Sequence, residues 1–393
     1  MIESWRWFGA MDSVSLTDIR QIGVKNIVTA LHEIPCGEIW ELERIQKQKQ
    51  EIEKHGFTWN VVESLSVHED IKKQTGAYKK YLEIYVQNMH SLAKCGIKTI
   101  CYNFMPITDW TRTSLSYTLE DNTQTLYFDY IHYVLFDIFI LQREGAANDY
   151  SEKIVKQATA SFEQMDNAQK QQITKTVGFG LPGTVDDLSI EELKEKLQEY
   201  KHIDEPTLQR HLIDFLEYIM PHAKELDINM ALHPDDPPFS LFGLPRIAST
   251  PTQIQTLFQA LPSKRNGLTL CAGSFSARLD NNVVQIAKQF SDRIYFAHLR
   301  NTQNNGLSFY ESPHLEGNVD MIDLISELLK IEKERQKQDK NWQLPFRPDH
   351  GVLMLDDLEQ NTAQPSYPGY STIGRMKGLC ELRGAIKALE RNN

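Results

Sequence analysis

The chain is short of cysteine, short of positive charge, and has no long apolar run. Its five cysteines stand at 36, 95, 101, 271 and 380. The count is odd and no C-x-x-C pair occurs. That excludes a disulfide scaffold and a zinc ribbon, and it fits a reducing cytoplasm. No apolar stretch approaches the ~20 residues of a membrane span. The first residues, MIESWRWFGAMD, lack a basic segment followed by an apolar one and do not read as a secretory signal. Lysine and arginine total 42 against 53 acidic residues, a formal net charge of −11. Such a balance weighs against a nucleic-acid partner and against an anionic membrane surface. An anionic small molecule would have to be drawn in by a local cation. Neither G-x-G-x-x-G nor G-x-x-x-x-G-K-[ST] stands at a strand–helix junction, which counts against a nucleotide site.

What is present is a repeated strand–helix pattern. Eight β-rich runs read as strands: WRWF (5–8), NIVTAL (26–31), TWNVVES (58–64), KTICYNF (98–104), INMALHP (228–234), LTLCAG (268–273), RIYFAHLR (293–300) and LPFRPDH (344–350). Helical patterns such as 38–56 and 78–96 lie between them and end in glycine. Eight such units predict a (β/α)8 TIM barrel, one domain over residues 1–393. One connection, between KTICYNF and INMALHP, exceeds 120 residues. It holds YIHYVLFDIFILQRE (130–144), an apolar helix or strand, and then a polar helical stretch at 150–202. This predicts a helical insertion over about 143–205, a solvated excursion or an oligomer contact. Within it, Ser189 and Glu192 have the spacing of a capping box.

In such a barrel, chemistry collects at the C-terminal strand ends. The last four candidate strands each carry a donor there: His233, Cys271, His298 and Asp349, separated by 38, 27 and 51 residues. Singly, each has a plain structural explanation: a hydrogen-bonded histidine, a small buried thiol, a loop aspartate. Jointly they predict a metal site. Two imidazoles and a thiolate suit zinc or iron(II), the carboxylate also admits manganese, and calcium or magnesium fit poorly. Arg300 follows His298 by two residues and Arg347 precedes Asp349 by two, so each shares its neighbour's strand face. An arginine facing a barrel mouth needs an anion, and a substrate carboxylate would supply one. The stretches 309–321 and 365–374 read as substrate-covering loops. His314 and Tyr370 are the groups there best able to move protons or meet a substrate.

The segments WRWFG (5–9), IVTALHEIPCGEIW (27–40), HPDDPP (233–238), LCAGS (270–274), HLRN (298–301), SPHLEGNVDM (312–321), RPDHG (347–351) and PGY (368–370) together resemble the mannonate dehydratase family. They keep their order from the first strand to the last. The resemblance implies a xylose-isomerase-like barrel that converts D-mannonate to 2-dehydro-3-deoxy-D-gluconate and water with Mn2+ or Fe2+. It places the metal ligands on His233, Cys271, His298 and Asp349, and the catalytic roles on His350 and Tyr370, with Asp349 beside them. Arg300, Arg347 and His314 remain as substrate-binding candidates. One geometric objection stands: neighbouring strand residues face opposite ways, so Asp349 and His350 should not share a site. Rival readings are a metal-dependent sugar isomerase of the same fold, against which Cys271 counts, and a non-catalytic sugar-acid-binding barrel. A homo-oligomer is left open.

Overall fold

The computed structural model describes residues 1–177, 189–360 and 367–391. Among the described residues twelve strands are formed: β1 (Ile2–Arg6), β2 (Asn26–Thr29), β3 (Thr58–Glu63), β4 (Thr99–Tyr102), β5 (Ser114–Thr118), β6 (Gln124–Phe128), β7 (Asn229–Leu232), β8 (Asn266–Cys271), β9 (Ile294–His298), β10 (Asn301–Asn305), β11 (Ser308–Ser312) and β12 (Pro345–Arg347). Eight of them close a barrel in the order β1-β12-β9-β8-β7-β4-β3-β2, with every pairing parallel. These are the eight runs expected from sequence. A helix follows each one, from Leu16–Ile22 after β1 to Thr372–Arg391 after β12. The helices Leu42–Lys54 and Tyr78–Lys94 stop at Gly56 and Gly96, whose φ values of 83° and 79° only glycine adopts freely.

Two apolar layers hold the barrel. The larger lies between strands and helices. The smaller fills the barrel itself with Val28, Val61, Cys101 and Phe296, all at most 1% exposed. Strand alternation makes the next step predictable. Two residues beyond Val61 comes Glu63, and two beyond Phe296 comes His298. The apolar plug therefore gives way, one layer up, to polar side chains at the C-terminal mouth. Register sets their height: Cys271 pairs with His298, and His298 with Arg347. The His233 N–H donates to the Tyr102 carbonyl at 2.7 Å, bringing β7 to the same level.

Sequence patterning did not reveal a second sheet. Strands β10, β11, β6 and β5, in that order, form a four-stranded antiparallel sheet. Residues expected to be a covering loop from 309 onward instead begin inside β11. Its hairpin with β10 turns at Gly306 and Leu307, the former with φ of 66°. Phe309 and Phe128 stack across the sheet with centroids 5.4 Å apart. The segment 130–144 is helical: an α-turn over Tyr130–Leu135 runs into a π-helical turn over Phe136–Ile140. The polar stretch beyond it forms helices Glu152–Gln164, Asn167–Val177 and Ile190–Glu199. Ser189 caps the last with the reciprocal Glu192 contact that its spacing implies.

The inner plug yields a stability prediction. Phe296→Ala removes a fully buried ring directly beneath His298, so unfolding free energy should fall by about 3–5 kcal/mol. Denaturant unfolding would check this; a loss below 1 kcal/mol would mean that the plug is not tightly packed.

Candidate active site

Strand ends deliver the donors first. His233, Cys271 and His298 place one ligand atom each within 4.8 Å of one another. The His233 Nδ1–H donates to the Pro234 carbonyl at 2.7 Å, which fixes the tautomer and leaves Nε2 as the free lone pair. His298 is fully buried, yet among the described residues neither ring nitrogen finds a hydrogen bond of ordinary geometry. Its Nε2 stands 3.5 Å from Glu63 and its Nδ1 3.7 Å from Asp349. Burial alone would push the Cys271 thiol up, but the Arg300 guanidinium and His233 outweigh it and hold the thiol well below its ordinary value. Thiolate is the ligating form. A buried, orphaned imidazole beside a thiolate and a second imidazole with a free nitrogen is a donor set that fits a transition-metal ion.

Asp349 is the fourth expected donor. Its Oδ2 lies 3.8 Å from Cys271 Sγ and 2.8 Å from Arg300 Nε. Its Oδ1 faces the other way. Tyr370 donates its hydroxyl to it at 3.4 Å, and His350 Nε2 stands 3.8 Å off. The parity objection dissolves here. Strand β12 ends at Arg347, Pro348 interrupts it, and Asp349 has φ of 67°. With alternation broken, Asp349 and His350 are both buried and both line one cleft. Gly369, at φ of 81°, lets His350 pack: a Cβ there would sit 2.9 Å from its Cγ. Burial, only partly offset by Arg6 and Arg347, raises the Tyr370 phenol above its usual range.

The arginines behave differently from expectation. The anions that Arg300 and Arg347 require are supplied by the chain itself. Arg347 is held by both oxygens of Glu63, at 2.9 and 2.7 Å, and by Asp349 Oδ1. Arg300 contacts Asp349, Asp236 and Glu311. Arg112 joins Asp236 at 2.8 Å and Glu311 at 2.6 Å, and Arg6 joins Glu63 at 3.1 Å. Both predicted arginines still line the cleft, but neither carries an unneutralised charge for a substrate. His314 is displaced from its expected place. It is buried, hydrogen-bonds the Pro348 carbonyl through Nε2 at 2.8 Å, and packs against Gly378, where a Cβ would come within 2.0 Å of the ring. It buttresses the turn that presents Asp349 and does not line the cleft. Of residues 365–374, positions 365 and 366 lie outside the described residues.

Arg6, Glu63, Asp236, Glu311 and Arg112 were not singled out from sequence. A signal existed for two of them: Arg6 ends β1 and Glu63 ends β3, the same strand-end rule that found His233 and Cys271. Arg112, Asp236 and Glu311 arrive on the inter-element segments and the second sheet, beyond that rule's reach. The cleft encloses about 450 Å³ of empty space, open mouth included, beside the donor cluster.

Fold and site together define a β/α barrel of the xylose-isomerase-like class with a candidate metal centre at its mouth. A solved xylose isomerase domain protein from Planctomyces limnophilus has the same fold, with a TM-score of 0.50 at 9% identity and coverage of 100% of this chain and 96% of that one. The family model described as D-mannonate dehydratase (UxuA) matches residues 1–393, and the chain belongs to that family. It is 48% identical over 392 residues to a mannonate dehydratase of Saccharophagus degradans, covering 99% of this chain and 98% of that one. A mannonate dehydratase of a Marinomonas species is 47% identical over 386 residues, covering 98% of each. The solved mannonate dehydratase of Streptococcus suis serotype 2 superposes with a TM-score of 0.78 at 29% identity, covering 100% of this chain and 95% of that one. The chain is thus a hydro-lyase by family.

Two outcomes are expected from the site's geometry. Cys271→Ser should lower bound metal in the purified protein at least tenfold while circular dichroism stays unchanged; full metal content would remove Cys271 from the ligand set. Arg347→Ala leaves Glu63 and Asp349 short of a buried partner, so stability should fall by about 3–5 kcal/mol. Denaturant titration measures it.

Proposed function

We propose that the cleft dehydrates D-mannonate to 2-dehydro-3-deoxy-D-gluconate. The observation that carries the mechanism is the two-sided environment of Asp349: the donor cluster meets one carboxylate oxygen and a proton-transfer pair meets the other. His233, Cys271, His298 and Asp349 would hold the ion, Mn2+ or Fe2+. When bound, such an ion supplies Lewis-acid stabilisation to the charge that builds on the substrate carboxylate as the C2 proton leaves.

The remaining work falls to the chain. The C2 proton is barely acidic, because its loss adds charge next to an anion. A base must take it and an acid must protonate the departing C3 hydroxyl. Glu311 lies 3.2 Å from His350 Nδ1 and takes that N–H, so Nε2 keeps its lone pair toward the cleft as the base. Tyr370 remains protonated at neutral pH, since burial raises its phenol, and it serves as the acid. Proton and hydroxide leave as one water. The resulting enol then becomes the 2-keto acid by proton transfer to C3. Arg300, between Asp349, Asp236 and Glu311, orients the carboxylates that position both groups. Among the described residues no helix is long and apolar enough to cross a membrane. The five free cysteines support a cytoplasmic setting.

The test is direct. Chelator-stripped protein, reloaded in turn with Mn2+, Fe2+ and Zn2+, should form a 2-keto acid from D-mannonate with the first two ions. No product with any ion would sink the proposal. Tyr370→Phe and His350→Asn should each keep metal content and lower kcat by about 100-fold or more. In deuterated water His350→Asn should stop label entering C2 of the recovered, unreacted D-mannonate; turnover near wild type in either variant would remove that residue from the mechanism.

A further inference from the structure

A second cavity adjoins the catalytic cleft. It encloses about 530 Å³, open mouth included, between the segments that follow β2 and β3. Arg6 and Ser64 line both spaces, so the two share a wall. Arg6 is only 5% exposed, and its Nε has no hydrogen-bond partner among the described residues. Its NH1 is occupied, donating to Glu63 at 3.1 Å and to Tyr370 Oη at 3.3 Å. A buried guanidinium N–H without an acceptor is costly, and an oxygen-bearing ligand beside it would relieve that cost. The wall beyond Arg6 is firm. Asn88 is engaged at both ends, accepting from Trp40 N at 2.7 Å and donating to the Glu38 carbonyl at 3.0 Å. Tyr81 is braced by stacking on His68 with centroids 3.6 Å apart. Cys36 meets the Ser66 carbonyl at 3.6 Å and closes one side.

On the far side of the cleft, Arg300 and Arg112 are tied to Asp236 and Glu311. An elongated substrate whose carboxylate end lies at the donor cluster would therefore extend most readily past Arg6. We propose that this side cavity is the subsite for the distal, hydroxyl-bearing end of the sugar acid, with Arg6 as the donor at its entrance, and that it selects substrates by chain length. This rests on the dehydratase reading and adds the placement of the substrate's tail.

Narrowing the cavity without touching the chemistry tests it. Cys36→Leu and, independently, Ser66→Leu place bulk in the side cavity away from Asp349, His350 and Tyr370. Steady-state kinetics on the manganese-loaded enzyme should show KM for D-mannonate raised tenfold or more, with the inhibition constant of D-glycerate, a three-carbon competitor, within twofold of wild type. The two variants guard against one that fails to fold, and circular dichroism identifies it. If a folded variant keeps the wild-type KM, the cavity does not hold the tail. If KM and the inhibition constant rise together, the cavity only supports the cleft wall, and the inference is overturned. A wild-type enzyme inert toward D-mannonate would refute the dehydratase reading instead, a result distinguishable from both.

Discussion

An unbroken buried chain of alternating arginines and carboxylates holds the mouth of this barrel. It runs from Arg6 through Glu63, Arg347 and Asp349 to Arg300, and from there through Asp236 and Glu311 to Arg112. All eight residues are buried. Removing so many charges from water is tolerable only when each has partners within contact distance. The effect on titration is consistent. Opposing arginines overcome the burial that would raise each carboxyl, and the result is depression throughout, to about 2 at Asp236. The mouth is thus ionised by construction and fixed in geometry, because moving any one side chain strands another.

That network also constrains what can bind. Its four arginines and four carboxylates cancel one another. In the donor cluster the Cys271 thiolate is balanced by His233, whose imidazole it raises to about 9 against the burial that would lower it; a bound metal ion would displace that proton. A divalent ion on that thiolate would leave one positive charge, which a single substrate carboxylate cancels. An acidic protein can therefore accommodate an anionic substrate without presenting it a free arginine. Arg300 and Arg347, expected from sequence to meet a substrate carboxylate, line the cleft already paired with, and neutralised by, the chain's own carboxylates.

The parts legible in the sequence were those governed by a simple period. Eight apolar runs gave eight barrel strands because the barrel interior and the helix layer both demand buried residues along each. Residues 233, 271, 298 and 349 stood out because polar residues at the ends of such runs have few structural uses, and the first three come within 4.8 Å of one another. The second sheet escaped notice because its strands are short and polar, as in SLSYT and NTQNN, and no burial pattern marks them. Gly306, at the first position of the two-residue turn, was the available signal. Arg6 and Glu63 were missed by applying the strand-end rule to only half the barrel. His314 misled because its neighbourhood reads as a polar loop, whereas tertiary packing against Gly378 takes it into the wall.

Asp349 shows why one rule had to fail for the site to exist. A regular strand through residues 347–350 would send either Asp349 or His350 into the helix layer, where a charge has no partner. Proline at 348 removes a ladder donor and ends the pairing. Asp349 then turns left-handed, a conformation that costs a non-glycine residue on the order of 1–3 kcal/mol. Its bonds to Arg347 and Arg300 offset that cost. The turn swings the carboxylate so that one oxygen faces Cys271 and His298 while the other faces Tyr370 and His350. The local irregularity thereby links the donor cluster to Tyr370 and His350 through three atoms of a single side chain. Neither a longer strand nor a glycine in place of Asp349 would do so.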